Sequence, residues 1–357
     1  MNTKLWQPIQ VGNIKLNHRI AMSPMTRMRT TARGVPTDLN AEYYAQRASM
    51  ALIISEGTQP SDDGQGYLLT PGIYTDDHVT GWRKVTEAVR RAGGQMFIQL
   101  MHVGRISHPA NTPHGRQPVA PSAVKPNAKM HTLSGPQDIP EPRALRADEI
   151  PAVIQEFRHA AAAARRAGAE GVEIHGANGY LVHQFLSDNA NLRTDQYGGS
   201  VERKIRFAVE VATAVADEIG AGRTGVRISP GNTFNDIAEN DVCTVYGELI
   251  RELNRLGLAY LHVAHMGDEG LLRKIRSLWP GVLVLNRGGV DLPTRIGDIE
   301  NGIADVIAVA STSLANPDLV ERIKTNAPLN APDPSTFFGG GTKGYTDYPT
   351  LAMTGHP

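Results

Sequence analysis

A single cysteine, Cys243, stands in 357 residues, which excludes an internal disulfide framework and any cysteine-ligated cluster built within the chain. Net charge is also missing. Lysine plus arginine and aspartate plus glutamate come to 36 each, so no overall field favours nucleic acid, a membrane surface or an acidic partner, and a small-molecule substrate is expected. No apolar run approaches the roughly 20 residues of a membrane span, and the N-terminus lacks a basic segment followed by an apolar stretch. A cytoplasmic location is the default expectation. The 12 histidines fall into no HExxH or comparable spacing, and no metal site is predicted. The Gly-x-Gly-x-x-Gly spacings at Gly220 to Gly225 and Gly339 to Gly344 neither follow a predicted strand nor open a helix, so no dinucleotide-binding fingerprint is read and a nicotinamide would bind transiently and not in a domain of its own.

What is present is an alternation of short apolar runs with amphipathic stretches. Strands are predicted at Ile20 to Met25, Ala51 to Ser55, Gln95 to Leu100, Gly171 to Ile174, Gly225 to Ile228, Tyr260 to Val263, Val282 to Leu285 and Val306 to Val309. Between them Gly81 to Arg91, Ile150 to Ala167, Val201 to Ile219 and Tyr246 to Leu256 carry apolar residues at helical spacing and end near a glycine. Eight such units with no second strand cluster point to a closed (β/α)8 barrel of one domain, a TIM barrel, although periodicity alone leaves a doubly wound sheet open. Three segments break the alternation. Residues 1–18 read as an N-terminal hairpin turning at Val11-Gly-Asn-Ile14. The stretch 104–146, rich in proline and polar residues, is too long for a plain connection and is expected to cap the site. Residues 328–357 read as a loop tail.

Chemistry concentrates after the fourth predicted strand, in His175-Gly-Ala-Asn178-Gly-Tyr180, where a strand ends and a helix begins. Barrel enzymes keep their reacting groups at that end of the strands. An imidazole and an amide three residues apart can aim two N–H donors at one oxygen, and a nearby phenol supplies a proton. Taken singly, the histidine reads as a structural residue and Asn-Gly-Tyr as an ordinary turn.

The run continues through Arg193-Thr-Asp-Gln-Tyr197-Gly-Gly-Ser200, and with Pro24-Met-Thr26-Arg27, Gln99-Leu-Met-His-Val-Gly-Arg105, Ala315-Asn-Pro-Asp-Leu319 and Gly339-Gly-Gly-Thr-Lys-Gly-Tyr345 the chain resembles the Old Yellow Enzyme family of flavin-dependent ene-reductases over essentially its whole length. The resemblance decides for the barrel. It implies FMN as cofactor and NADPH, or NADH, as transient reductant, with hydride passing through flavin N5 to the β-carbon of an α,β-unsaturated carbonyl or similar electrophile. His175 and Asn178 would hold the carbonyl oxygen and Tyr180 would protonate the α-carbon. Pro24 and Met25 would back the flavin ring, Thr26 would hydrogen-bond it, Gln99 and Arg227 would bind its pyrimidine side, and Gly57 would let the backbone approach. Tyr67, Met101 and Tyr345 would line the substrate pocket, each tyrosine reading equally as packing. Met101 stands where the family usually has tryptophan, which predicts a more adaptable wall. His102, His183 and Cys243 are assigned to structure.

The phosphate is expected after the seventh and eighth strands, where Gly288 and Gly289 fit. At the eighth strand the family pattern is Gly-Arg, but Ala310 and Ser311 occupy those positions. A serine offers one neutral donor where arginine's planar fork gives charge-assisted pairs. Arg287 is the residue expected to compensate, its alternative being a solvent-exposed arginine. Should the phosphate site be weakened, the alternatives are a redox-inefficient relative acting as an isomerase or pathway-specific catalyst, or a barrel that only binds. The substrate is a small molecule under each enzymatic reading, and monomer and homodimer both remain open.

Overall fold

A computed structural model describes residues 4–354. The chain opens with an antiparallel hairpin, β1 (Ile9–Val11) and β2 (Ile14–Leu16), in register Ile9 with Leu16. The barrel then begins with β3 (Ile20–Met22), β4 (Leu52–Ile54) and β5 (Met96–Leu100), with helices α1 (Asp38–Ala45) and α2 (Asp76–Arg91) between them. The segment that follows carries a parallel pair, β6 (Val119–Ala120) with β9 (Arg143–Ala144), and an antiparallel hairpin, β7 (Lys129–Thr132) with β8 (Gly135–Asp138). Helix α3 (Ile150–Arg166) leads back to β10 (Gly171–Gly176), and α4 (Leu181–Leu186) and α5 (Val201–Ile219) precede β11 (Thr224–Ile228). The remaining order is α6 (Val242–Arg255), β12 (Tyr260–His265), α7 (Glu269–Leu278), β13 (Leu283–Arg287), α8 (Leu292–Glu300), β14 (Val306–Val309), α9 (Ser311–Ala315), α10 (Leu319–Thr325) and α11 (Leu351–Thr354).

Eight parallel strands close on themselves in the order β10-β11-β12-β13-β14-β3-β4-β5, the last joint pairing Ile307 with Ile20 and Val309 with Met22. This is the (β/α)8 barrel. Its strands are short and buried on both faces because one face fills the interior and the other meets helices. The helices supply the matching stripe: on α3, Ile150, Val153, Ile154, Phe157, Ala160, Ala161 and Ala164 are buried at the spacing of one helical face. Helices α6, α7 and α8 each begin with an aspartate, Asp241, Asp268 and Asp291, that accepts the N–H of the residue three further on.

Several boundaries differ from the sequence reading, the largest at the end of β3 and at the starts of α2 and α6, the last beginning at Val242 and not Tyr246 because Asp241 caps it. The first barrel strand stops at Met22, not Met25: Ser23 still donates to the Val309 carbonyl, but Pro24 has no N–H to continue the ladder. Helix α2 starts at Asp76, five residues before Gly81, because the Thr75 hydroxyl caps it by accepting from the His78 N–H at 3.2 Å.

Candidate active site

At the end of β10 the backbone reverses within four residues. Asn178 (φ 56°) and Gly179 (φ 77°) both adopt left-handed backbone, and Gly179 is obligatory, since a Cβ there would stand 2.7 Å from the Phe234 carbonyl oxygen. The loop after β11 holds this turn. Asn235 donates to the Asn178 carbonyl at 2.8 Å, the Asn178 N–H donates to the Ser229 hydroxyl at 2.9 Å, and Asn232 donates to Asn178 Oδ1 at 2.9 Å. The last contact fixes the amide: its oxygen is taken, so Nδ2 is the group left for a ligand.

His175, the inward residue one rung below, is buried, and its Nδ1 has no protein partner. Burial and the neighbouring Arg227 charge push its pKa well below the ordinary histidine value, so the ring is neutral and carries one N–H. Tyr180 opens α4 and its hydroxyl lies 2.9 Å from that of Tyr67. Burial raises the Tyr180 phenol, which keeps the proton on it at neutral pH. Its ring centroid is 5.2 Å from that of His175.

Beneath these donors a polar layer crosses the barrel interior. Glu173 is fully buried and accepts from Gln99 Nε2 at 2.7 Å, His262 Nδ1 at 2.8 Å and Tyr260 Oη at 3.0 Å. Burial alone would raise this carboxyl, but His262, Arg227 and Gln99 together hold it below its ordinary value. Strand register places His175 beside Arg227 and Arg227 beside His262, so one anion sits among groups that favour it. Arg227 is buried with Nε unpartnered.

All of this opens into one cavity of about 400 Å³. His175, Asn178 and Tyr180 line it together with Tyr67, Met101, Gln99 and Arg227; Pro24, Met25 and Thr26 enter from the end of β3, Gly57 from β4, and Ala310 and Ser311 from the end of β14. The Met101 thioether lies 2.5 Å from where a Gly57 Cβ would stand, so in this structure it is Met101 that needs Gly57 to lack a side chain. Met101 and Tyr180 pack with Met130 of β7 and with Ile139, both from the 104–146 segment. His183, on the far side of the turn, accepts from the Gly179 N–H at 2.9 Å and meets Glu239 at 3.1 Å.

The resemblance implies a terminal loop that returns over the barrel mouth, but the residues that form the mouth are not singled out by the sequence. Phe234, Phe337 and Phe338 border the cavity, and Arg27 and Arg29 tie the C-terminal segment over it. Arg27 donates to the carbonyls of Phe337 (2.9 Å), Thr336 (3.2 Å) and Gly344 (3.0 Å), and Arg29 to Gly341 (3.0 Å) and Thr336 (2.9 Å). Two arginines two residues apart, with aromatics beside Gly339-Gly340, were the available signal.

Two residues are corrected. Tyr345 does not line the pocket: it is fully buried, stacked on Tyr43 with centroids 4.0 Å apart, and accepts from Asn40 at 3.0 Å. Arg287 stands outside the cavity lining and is not solvent-exposed. It is buried, with Nε 2.6 Å from Asp298 and Nη2 3.0 Å from Asp298 and 3.1 Å from Glu269, and two carboxylates raise its pKa and leave it no free edge. Gly288 and Gly289 stand outside the cavity lining, at the end of β13, with nothing within 4 Å of a Cβ on either.

The sequence profile of the NADH:flavin oxidoreductase / NADH oxidase family matches residues 4–330. The chain belongs to that family. It is an NAD(P)H-dependent flavin oxidoreductase of the Old Yellow Enzyme type, with FMN as cofactor. It is 41% identical, over 97% of each chain, to a probable flavin mononucleotide-dependent alkene reductase of Leishmania infantum. Against 12-oxophytodienoate reductase 1 of Oryza sativa subsp. japonica identity is 40%, over 97% of this chain and 93% of the relative. Among solved structures, morphinone reductase in complex with tetrahydroNAD superposes with a TM-score of 0.94 at 43% identity over 99% of both chains. The old yellow enzyme homologue from Zymomonas mobilis superposes with a TM-score of 0.94 at 39% identity, over 97% of this chain and 99% of its own. The residues of this flavin oxidoreductase fit the ring: a buried arginine with an orphaned Nε, a glutamine with its amide oxygen free and a threonine at the strand end face one cavity.

Proposed function

We propose that this flavin oxidoreductase is an ene-reductase acting on α,β-unsaturated carbonyl compounds and related electrophiles, with NADPH or NADH as reductant. When bound, FMN supplies hydride transfer from the nicotinamide to the acceptor's β-carbon. Gln99 and Arg227 would hold its pyrimidine edge, Arg227 bringing positive charge to that side, with Thr26 and the Pro24-Met25 backbone along the ring. Held by Glu173, Gln99 turns its oxygen toward the cavity as an acceptor.

The observation that carries the reading is the pairing of two preorganised N–H donors with a protonated phenol. Asn178 Nδ2 and the N–H of neutral His175 converge on one carbonyl oxygen and stabilise the charge that builds there as the β-carbon accepts hydride. Tyr180 then gives its proton to the α-carbon, and Tyr67, within hydrogen-bond distance, can take up the phenol's charge. Both substrates use one cavity, so turnover is ping-pong. Phe234, Phe337 and Phe338 restrict water at the mouth.

Isotope placement tests this. Reduction of a cyclic enone with nicotinamide deuterated at C4 should put deuterium on the β-carbon, and reduction in D2O should put it on the α-carbon. Solvent deuterium at the β-carbon would contradict the assignment.

A further inference from the structure

Position 311 offers a serine where FMN phosphate needs charge, and Arg287 is consumed by Asp298 and Glu269. A second arginine stands nearby. Arg295, in the first turns of α8, reaches across the gap between the ends of β13 and β14, donating from Nε to the Val290 carbonyl at 3.0 Å and from Nη1 to the Ala308 carbonyl at 3.4 Å. Val290 directly follows Gly288 and Gly289, and Ala308 lies two residues before Ala310. The guanidinium therefore spans from the loop after β13 to strand β14, next to the two loops that bind phosphate in barrels. Unlike Arg287 it forms no ion pair among the described residues, and neither carbonyl it touches neutralises its charge. Its Nη2 has no partner among the described residues. The residue is half-buried and oriented by two backbone contacts, and both glycines beside it leave open space. An arginine preorganised in this way, with one edge free, is suited to a phosphate dianion.

We propose that Arg295 is the phosphate-binding residue for FMN in this protein, supplying from α8 the charge that Ser311 does not supply from α9. The inference rests on the FMN reading above. It extends the site to a residue outside the cavity lining and accounts for an unpaired cation in the barrel rim. Because the phosphate is the part of FMN that riboflavin lacks, the two flavins separate this role from any general effect on the fold.

The test measures dissociation constants of FMN and riboflavin for the apoprotein, by flavin fluorescence, in wild type, R295A, S311R and the R295A/S311R double variant. Loss of a charge-assisted contact should weaken FMN binding by about tenfold to a hundredfold in R295A, leave riboflavin binding unchanged, and flatten the salt dependence of FMN affinity. Adding S311R should recover FMN affinity in the R295A background. Equal affinities of wild type and R295A for FMN would overturn the proposal, as would equal losses for FMN and riboflavin, or failure of S311R to recover binding while riboflavin still binds. A wild-type apoprotein that binds riboflavin as tightly as FMN would overturn it without touching the flavin assignment, whereas one that binds neither would remove the FMN reading itself.

Discussion

The hydroxyls of Tyr67 and Tyr180 lie 2.9 Å apart with their rings nearly perpendicular, at 86°. Tyr67 comes from the loop after β4 and Tyr180 from the turn after β10, so the contact joins loops of two strands separated only by β5. Burial pushes both phenols up, which leaves one proton donor facing the substrate and a second ready to resupply it. Replacing Tyr180 by phenylalanine should slow reoxidation by an enone about a hundredfold or more while NADPH still reduces the flavin at the wild-type rate. Tyr67→Phe should give a smaller loss in the same half-reaction. Stopped-flow measurement of the two half-reactions separates these outcomes, and an equal loss in both halves would contradict the assignment.

Asn178 owes its orientation to Asn232, which occupies its amide oxygen at 2.9 Å. Asn178→Asp keeps the size and the bond but loses the donor and adds an anion facing the carbonyl oxygen. We expect enone reduction to fall by the equivalent of about 3 kcal/mol. Asn232→Ala, which frees the amide to rotate, should cost less, and mostly in KM. Steady-state kinetics with one enone at varied concentration reads both.

Glu173 is the anion on which the polar layer depends. Glu173→Gln removes the carboxylate that accepts from Gln99, His262 and Tyr260 and whose charge favours buried Arg227, and losing a buried charged acceptor of this kind should cost about 1–3 kcal/mol. The midpoint of urea unfolding of the apoprotein should drop accordingly. An unchanged midpoint would mean that Gln99, His262 and Tyr260 do not need the charge.

Much of this was legible in the sequence, and the failures have definite causes. The eight apolar runs located the strands because parallel strands buried on both faces read as continuous apolar stretches, while the family resemblance decided for a barrel over a doubly wound sheet. The turn His175 to Tyr180 was legible because strand end, left-handed residues and helix start are local. Glu173 and His262 were not, since their meeting depends on the register of β10 and β12 across β11. Tyr345 and Arg287 failed for a related reason: whether a tyrosine lines a pocket or stacks on Tyr43, and whether an arginine faces a ligand or Asp298, is settled by residues some 300 and 11 positions away.

Glu56 predicts a pH dependence of stability. It is buried, accepts the Arg27 N–H at 3.0 Å, and burial raises its pKa from 4.5 to about 7. A carboxyl whose folded pKa lies above its unfolded one stabilises the protein fully below the unfolded value, and that contribution is lost as pH rises through the folded value. Stability should therefore fall between about pH 4.5 and pH 7 by at most roughly 3 kcal/mol from this group. Glu156, also raised to about 7 by burial, adds in the same direction. Urea unfolding at stepped pH checks it: Glu56→Gln should flatten the slope in that window.

Met101 sets the width of the pocket against Gly57. Met101→Trp puts a rigid indole where a thioether now packs 2.5 Å from the Gly57 Cβ position, and should reduce kcat/KM for bulky enones about tenfold or more while small cyclic enones lose little. A parallel loss for both sizes would mean that the position does not shape the substrate space.

The most direct test is the visible spectrum of the purified protein during anaerobic addition of NADPH, followed by a cyclic enone. The flavin bands should bleach with NADPH and return with the enone, in stoichiometric amounts and without oxygen. Bands that bleach but do not return with any enone would contradict the central claim that His175, Asn178 and Tyr180 form a site for reducing activated alkenes.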